Sequence, residues 1–224
     1  MDLLPRARLD TLDDAVLARA DARHTIHILC DCRTLHAISA ADQDDVDIRR
    51  VELGQLRADR LISSGCVVID ATDGAGTASV LEFLRPLARR APTIVLAREG
   101  DIRLAVRAVK AGAFDVLAKP VDPDEFWSTV RAALRSEASS NHARRSIGWV
   151  SHEAAREAVS SLTRRQHDIL ARIVQGQPNK IIAADLGISQ RTAENHRAAI
   201  MRKLRVSSIS ALVQVALAAN WSQG

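Results

Sequence analysis

The chain of 224 residues is long enough for one large domain or two small ones, at about 100–200 residues per domain. Hydrophobic residues make up 47%, charged residues 26% and aromatics only 3%, with no tyrosine and a formal net charge of +4, so the core must be built from Ala, Val, Leu and Ile. No apolar run approaches the ~20 residues of a membrane span, the opening MDLLPRARLDTLDD carries acids where a secretory signal needs an apolar stretch, and Cys30, Cys32 and Cys66 are too few for a disulfide framework, so the expectation is a cytoplasmic protein without a membrane partner.

In chain order, residues 1–23 read as a polar, partly helical extension. Residues 24–137 alternate short β-branched runs with helical stretches. The predicted strands are Thr25–Cys30, Val46–Val51, Cys66–Asp70, Thr93–Ala97 and Asp115–Ala118; the clearest helices are Arg103–Lys110 and Asp124–Arg135. This alternation predicts an α/β domain, a parallel sheet with helices on both faces. Its chemistry is then expected beyond the carboxyl ends of the strands. Residues 138–160, polar around SEASSNH and holding Trp149, read as a linker that is partly helical.

From residue 161 to 224 the pattern is helical throughout. Thr163 with Gln166 three residues on has the form of a capping box, and Gly176 closes that helix. Asn179 is the predicted cap of a second short helix ended by Gly187, and Ser189 of a third in which Ala193, His196, Ile200 and Leu204 form one buried face. A fourth helix is expected over Ser208–Ala219. Two short helices joined by LGIS match a helix-turn-helix, spanning about Asn179–Ala198 with Gln190–Leu204 as recognition helix. From Ser151 onward there are ten basic and five acidic residues, a net +5 against −1 for the rest, which points to a polyanion partner.

The segment from LTRRQHDIL to VQVAL resembles the LuxR/FixJ (NarL) type of DNA-binding domain over its whole length. The residues that carry the resemblance are Gly176, Asn179–Lys180, Ile182–Ala183, Ile188–Ser189, Thr192–Ala193, His196 and Lys203–Leu204; Gln166 and Ala193 stand where that family usually has Glu and Val. With the apolar stripe buried, the opposite face of the third helix shows Gln190, Arg191, Glu194, Asn195, Ala198 and Arg202. Arg reads guanine, Asn adenine, and Glu accepts from cytosine. The resemblance places base contacts on Arg191, Glu194, Asn195 and Ala198, with Thr192 beside them. Lys180, Arg197, Arg202 and Lys203 are the phosphate candidates, which set register. His196 is read as structural.

The segment TIVLAREGDIRLAVRAVKAGAFDVLAKPVD resembles a response-regulator receiver domain, of flavodoxin-like fold, with Ala108, Lys110–Ala113, Asp115 and Lys119–Pro120 carrying the likeness. The whole chain thus reads as a receiver followed by an all-α helix-turn-helix domain of four helices. A receiver needs a carboxylate nucleophile, an acidic pair for Mg²⁺, a lysine and a hydroxyl that follows the phosphoryl group. Asp70 stands at the phosphoacceptor place and Lys119 at that of the lysine. The acidic pair, however, is Cys30–Asp31, the hydroxyl place holds Ala97, and the aromatic place on the fifth strand holds Val116. Asp31 with Asp70 is a weak Mg²⁺ set, because a thiol is a poor ligand for a hard cation.

The expectation is a transcription regulator rather than an enzyme, controlled without ordinary aspartyl phosphorylation. The alternatives are conventional activation at Asp70 by a sensor histidine kinase, and thiol redox control through Cys30 and Cys32. Cys66 is read as packing. The resemblance implies a homodimer on double-stranded DNA, with the fourth helix of the C-terminal domain joining the two copies. Whether the receiver masks that domain or pairs two copies is left open.

Overall fold

The computed structural model describes residues 24–29, 46–51, 65–72, 76–137 and 151–220. Five parallel strands, β1 (His24–Leu29), β2 (Val46–Arg50), β3 (Gly65–Asp70), β4 (Thr93–Arg98) and β5 (Asp115–Lys119), form one sheet in the order β2-β1-β3-β4-β5. This is the predicted flavodoxin-like arrangement, with strand ends within about one residue of the sequence reading. The three central strands are buried along almost their whole length, as parallel strands covered on both faces must be.

Helices α1 (Gly76–Ala88), α2 (Ile102–Ala111) and α3 (Pro123–Glu137) cover the sheet. On one face Leu29, Val67, Ile69 and Val95 meet Val80, Leu84 and Leu87 of α1 and Val106 and Val109 of α2. On the other, Ile26, Ile28, Val68, Ile94 and Leu96 meet Phe126, Trp127 and Val130 of α3. Helix α1 is one of the helical stretches expected between the strands, beyond the two clearest. Pro86 falls in its last turn, and burial of Val80, Leu84 and Leu87 outweighs the lost hydrogen bond.

Helices α4 (His152–Ser160), α5 (Arg164–Val174), α6 (Asn179–Leu186), α7 (Gln190–Lys203) and α8 (Ile209–Ala218) make the second half. The Thr163–Gln166 capping box is present in both directions, and Ser189 and Ser208 cap α7 and α8. Asn179 does not cap α6. Pro178 occupies that place with no side-chain bond, and Asn179 is the first helical residue, its Oδ1 buried without a partner. Proline before the first turn presets the backbone and gives up no bond the helix needs. Recognition helix α7 ends at Lys203, with Leu204 as its C-cap. Within the segment read as linker, α4 is a full helix: Ala155 and Val159 are buried, and His152 Nδ1 and Arg156 Nε bond the carbonyls of Ala218 and Ala219 at the end of α8.

The two halves touch. The apolar cluster beside α2 continues without a break into α4, α5, α7 and α8. Ser210 Oγ donates to Asp115 Oδ1, and Gln214 Nε2 donates to the Phe114 carbonyl at 2.7 Å. Gly176 has a positive φ of 81°, and a Cβ there would lie 3.3 Å from Arg103 Cα, so the position needs glycine for its backbone and for the close approach of α2.

Candidate functional site

Helix α7 is amphipathic in the sense the sequence predicts. Ala193, Ile200 and the capping Leu204 are buried, while Gln190, Arg191, Glu194, Asn195, Ala198, Arg202 and Lys203 are exposed. His196 is half-buried at the margin of the stripe rather than within it. The short turn before α7 is set by Gly187, whose φ of 63° closes α6 in a left-handed cap. Arg191, Asn195, Arg197 and Arg202 have no side-chain bond among the described residues, and Lys180 extends from the first turn of α6 with none either.

Other predicted contacts are partly committed. Thr192 lends its N–H and hydroxyl to the Ser189 cap, at 3.0 and 2.8 Å. Glu194 accepts from Gln190 Nε2 at 2.9 Å, so its carboxylate is held one helical turn back. Lys203 Nζ donates to the Ser161 carbonyl between α4 and α5. Arg165 and Arg172 are scaffold: Arg165 Nη2 bonds the Leu186 carbonyl at 2.9 Å, and Arg172 bonds the Asp168 carbonyl and faces Asp185 at 3.9 Å.

A second site lies at the carboxyl ends of β3, β4 and β5. Asp70 ends β3 with its side chain fully buried, and Lys119, the last residue of β5, places Nζ on its Oδ2. The sheet brings these two together across 49 positions of sequence. Oδ1 of Asp70 accepts from Thr72 N–H at 2.9 Å and from Thr72 Oγ1 at 2.7 Å, and Lys119 Nζ also donates to Thr72 Oγ1 at 2.9 Å. Arg98 Nη2 approaches the Thr72 carbonyl at 3.5 Å. Ala97 and Val116 are buried apolar side chains on the neighbouring strands.

Thr72 was not among the residues singled out in the sequence. The only signal was a hydroxyl two residues beyond the acid, the spacing of an Asx-type turn. Cys30, Asp31 and Cys32 lie outside the described residues. Among the described residues no group of three His, Cys, Asp or Glu side chains could hold a metal ion; Asp31, the other carboxylate named for Mg²⁺, lies outside them. Cys66 is buried in the core on β3, as packing. No helix among the described residues is long and apolar enough to cross a membrane.

Residues 160–216 match the family described as bacterial regulatory proteins, luxR family. The chain is 36% identical over 162 residues to the transcriptional regulatory protein FixJ of Azorhizobium caulinodans, covering 70% of this chain and 73% of that one. It is 37% identical over 155 residues to the response regulator protein TodT of Pseudomonas putida, covering 67% and 65%. It is also similar to the crystal structure of full-length FixJ from B. japonicum, at 27% identity, with a TM-score of 0.42 and coverage of 90% of this chain and 100% of that one. The chain therefore belongs to the two-component response regulators of the FixJ type, a receiver domain joined to a LuxR-type helix-turn-helix DNA-binding domain.

Proposed function

We propose that the chain is a dimeric transcription regulator that reads double-stranded DNA with α7 and is switched without ordinary aspartyl phosphorylation. It acts in the cytoplasm, where the DNA is, and performs no catalysis of its own. The unit that binds DNA is taken as residues 161–224 resting on α4, and the regulatory unit as residues 24–137. The observation that carries the reading of the output is the exposed row Arg191, Asn195 and Arg202, whose donors are unengaged, flanked by Lys180 and Arg197. Arg191, Glu194, Asn195 and Ala198 would face base edges, and the remaining cations phosphates.

The reading of the input rests on the receiver pocket. A methyl group at Ala97 cannot follow a phosphoryl group by hydrogen bonding, and Val116 offers no aromatic ring to swing. The contact between the halves supplies another route of control. Helix α8 is buried nearly all round, with Leu212, Val213, Val215, Ala216 and Ala218 shared between its own domain and α2. The docked arrangement leaves α7 open to solvent but covers α8, the helix the family resemblance assigns to pairing. Undocking would release it.

One observation favours the conventional alternative, in which a sensor histidine kinase phosphorylates Asp70: Lys119 does reach the carboxylate. The experiment is a duplex selected in vitro from a random library, bound by wild type and Asp70→Asn with and without acetyl phosphate. Equal affinities for all four are expected, falling steeply with salt because phosphates dominate the contact. Binding that rises with acetyl phosphate in wild type but not in Asp70→Asn would establish the alternative instead.

A further inference from the structure

We propose that Thr72 is a positioning residue that holds Asp70 in an unreactive form. The inference rests on the reading that aspartyl phosphorylation does not drive this protein, and it adds one side chain to the causes at Ala97 and Val116.

The geometry is a closed ring. The Thr72 hydroxyl donates to Asp70 Oδ1 at 2.7 Å and accepts from Lys119 Nζ at 2.9 Å, while Lys119 closes the ring on Oδ2. One hydroxyl thus caps one carboxylate oxygen and aims the ammonium at the other. The carboxylate is sealed from solvent, so water does not compete for these bonds, and hydrogen bonds to an ionised group are roughly twice as strong as neutral ones. Each such bond draws electron density from the carboxylate and lowers the nucleophilicity of the oxygen that would attack phosphorus.

In transfer from acetyl phosphate, a lone pair of an Asp70 carboxylate oxygen forms the new O–P bond. The P–O bond to the acetyl group breaks, and acetate leaves with the electron pair. Thr72 touches neither the phosphorus nor the leaving group and acts only through Asp70 and Lys119. Its backbone N–H, 2.9 Å from Oδ1, persists in any variant, so the side chain alone is under test. Thr72→Val keeps the β-branched shape and removes both bonds of the ring made by the hydroxyl.

The test follows intact mass with time in full-length wild type, Thr72→Val, Thr72→Ala, Thr72→Ser and the double variant Asp70→Asn/Thr72→Val, each given acetyl phosphate and Mg²⁺. Thr72→Val and Thr72→Ala should gain one phosphoryl group at least about tenfold faster than wild type, the order of effect of one charge-assisted hydrogen bond. Thr72→Ser should return to the wild-type rate, and the double variant should gain nothing. If Thr72→Val and Thr72→Ala label no faster than wild type while melting at the same temperature, the proposal is overturned although phosphorylation-independent control survives. If wild type itself labels rapidly, that control reading fails, and the ratio of variant to wild-type rates still decides the role of Thr72.

Discussion

In the C-terminal half the candidate functional side chains stand on the outside of a single helix: Arg191 and Asn195 are one turn apart on α7 and carry unengaged donors. In the N-terminal half the corresponding groups come from the ends of two strands and bond one another, Asp70 with Thr72 and Lys119. The first arrangement is ready to meet a partner, because solvent is all it must give up. The second is engaged in charge-assisted bonds with its own neighbours. The contrast teaches that the two halves hold their polar groups differently: on α7 they face solvent, and at the strand ends they face one another. What links the halves is neither site but the contact of α8 with α2 and β5.

The largest effect that would break this comparison lies on α7. Asn195→Ala and Arg191→Ala should each weaken binding to a selected duplex by about 1–3 kcal/mol and relax preference at one base pair, measured by fluorescence anisotropy over a sequence panel. Uniform weakening on every sequence would make them phosphate contacts instead.

A smaller effect is expected at the contact between the halves. Ser210→Ala with Gln214→Ala removes two hydrogen bonds across it, each worth roughly 1 kcal/mol, and should raise the dimer fraction in sedimentation several-fold. Burial pushes the Asp115 carboxyl above its ordinary value, against the hydrogen bonds from Ser210 and the Val116 N–H. The docked form therefore holds that proton more tightly than the open form. Docking should strengthen as pH falls toward the ordinary carboxylate range and weaken as pH rises through the raised value. Asp115→Asn should flatten the profile, and an unchanged slope would remove Asp115 from the account.

The smallest effect concerns His27 on β1. Burial, and then the charge of Arg49, hold its imidazole below the ordinary 6.5 despite the opposing pull of Asp47. The unfolded chain therefore takes up a proton that the native chain resists. Stability should fall as pH drops below about 6.5. Thermal melts of His27→Gln should lose that part of the slope, while a fragment from Ser151 onward should show none of it.

Much of this was legible in the sequence, for reasons that differ between the halves. The helices of the C-terminal half follow local rules: Thr163 and Ser189 cap because their side chains reach an N–H three residues on, and the exposed face of α7 follows from a period of 3.6. Strand order and the meeting of Asp70 with Lys119 could be read only through a resemblance, since alternation predicts a parallel sheet but not which ends adjoin. Asn179 misled because its side chain suits a cap, yet Pro178 already presets the backbone one residue earlier.

The sequence by itself determined the helix-turn-helix, the exposed face of its second helix and the α/β character of the first domain, because caps, turns and hydrophobic period act over a few residues. Only the tertiary structure decided that Thr72 closes on Asp70 and Lys119, and that Ser210 and Gln214 of α8 meet β5 and the residue before it. These depend on groups up to 100 positions apart, whose approach is set by how the sheet and helices pack and leaves no periodic trace in the chain.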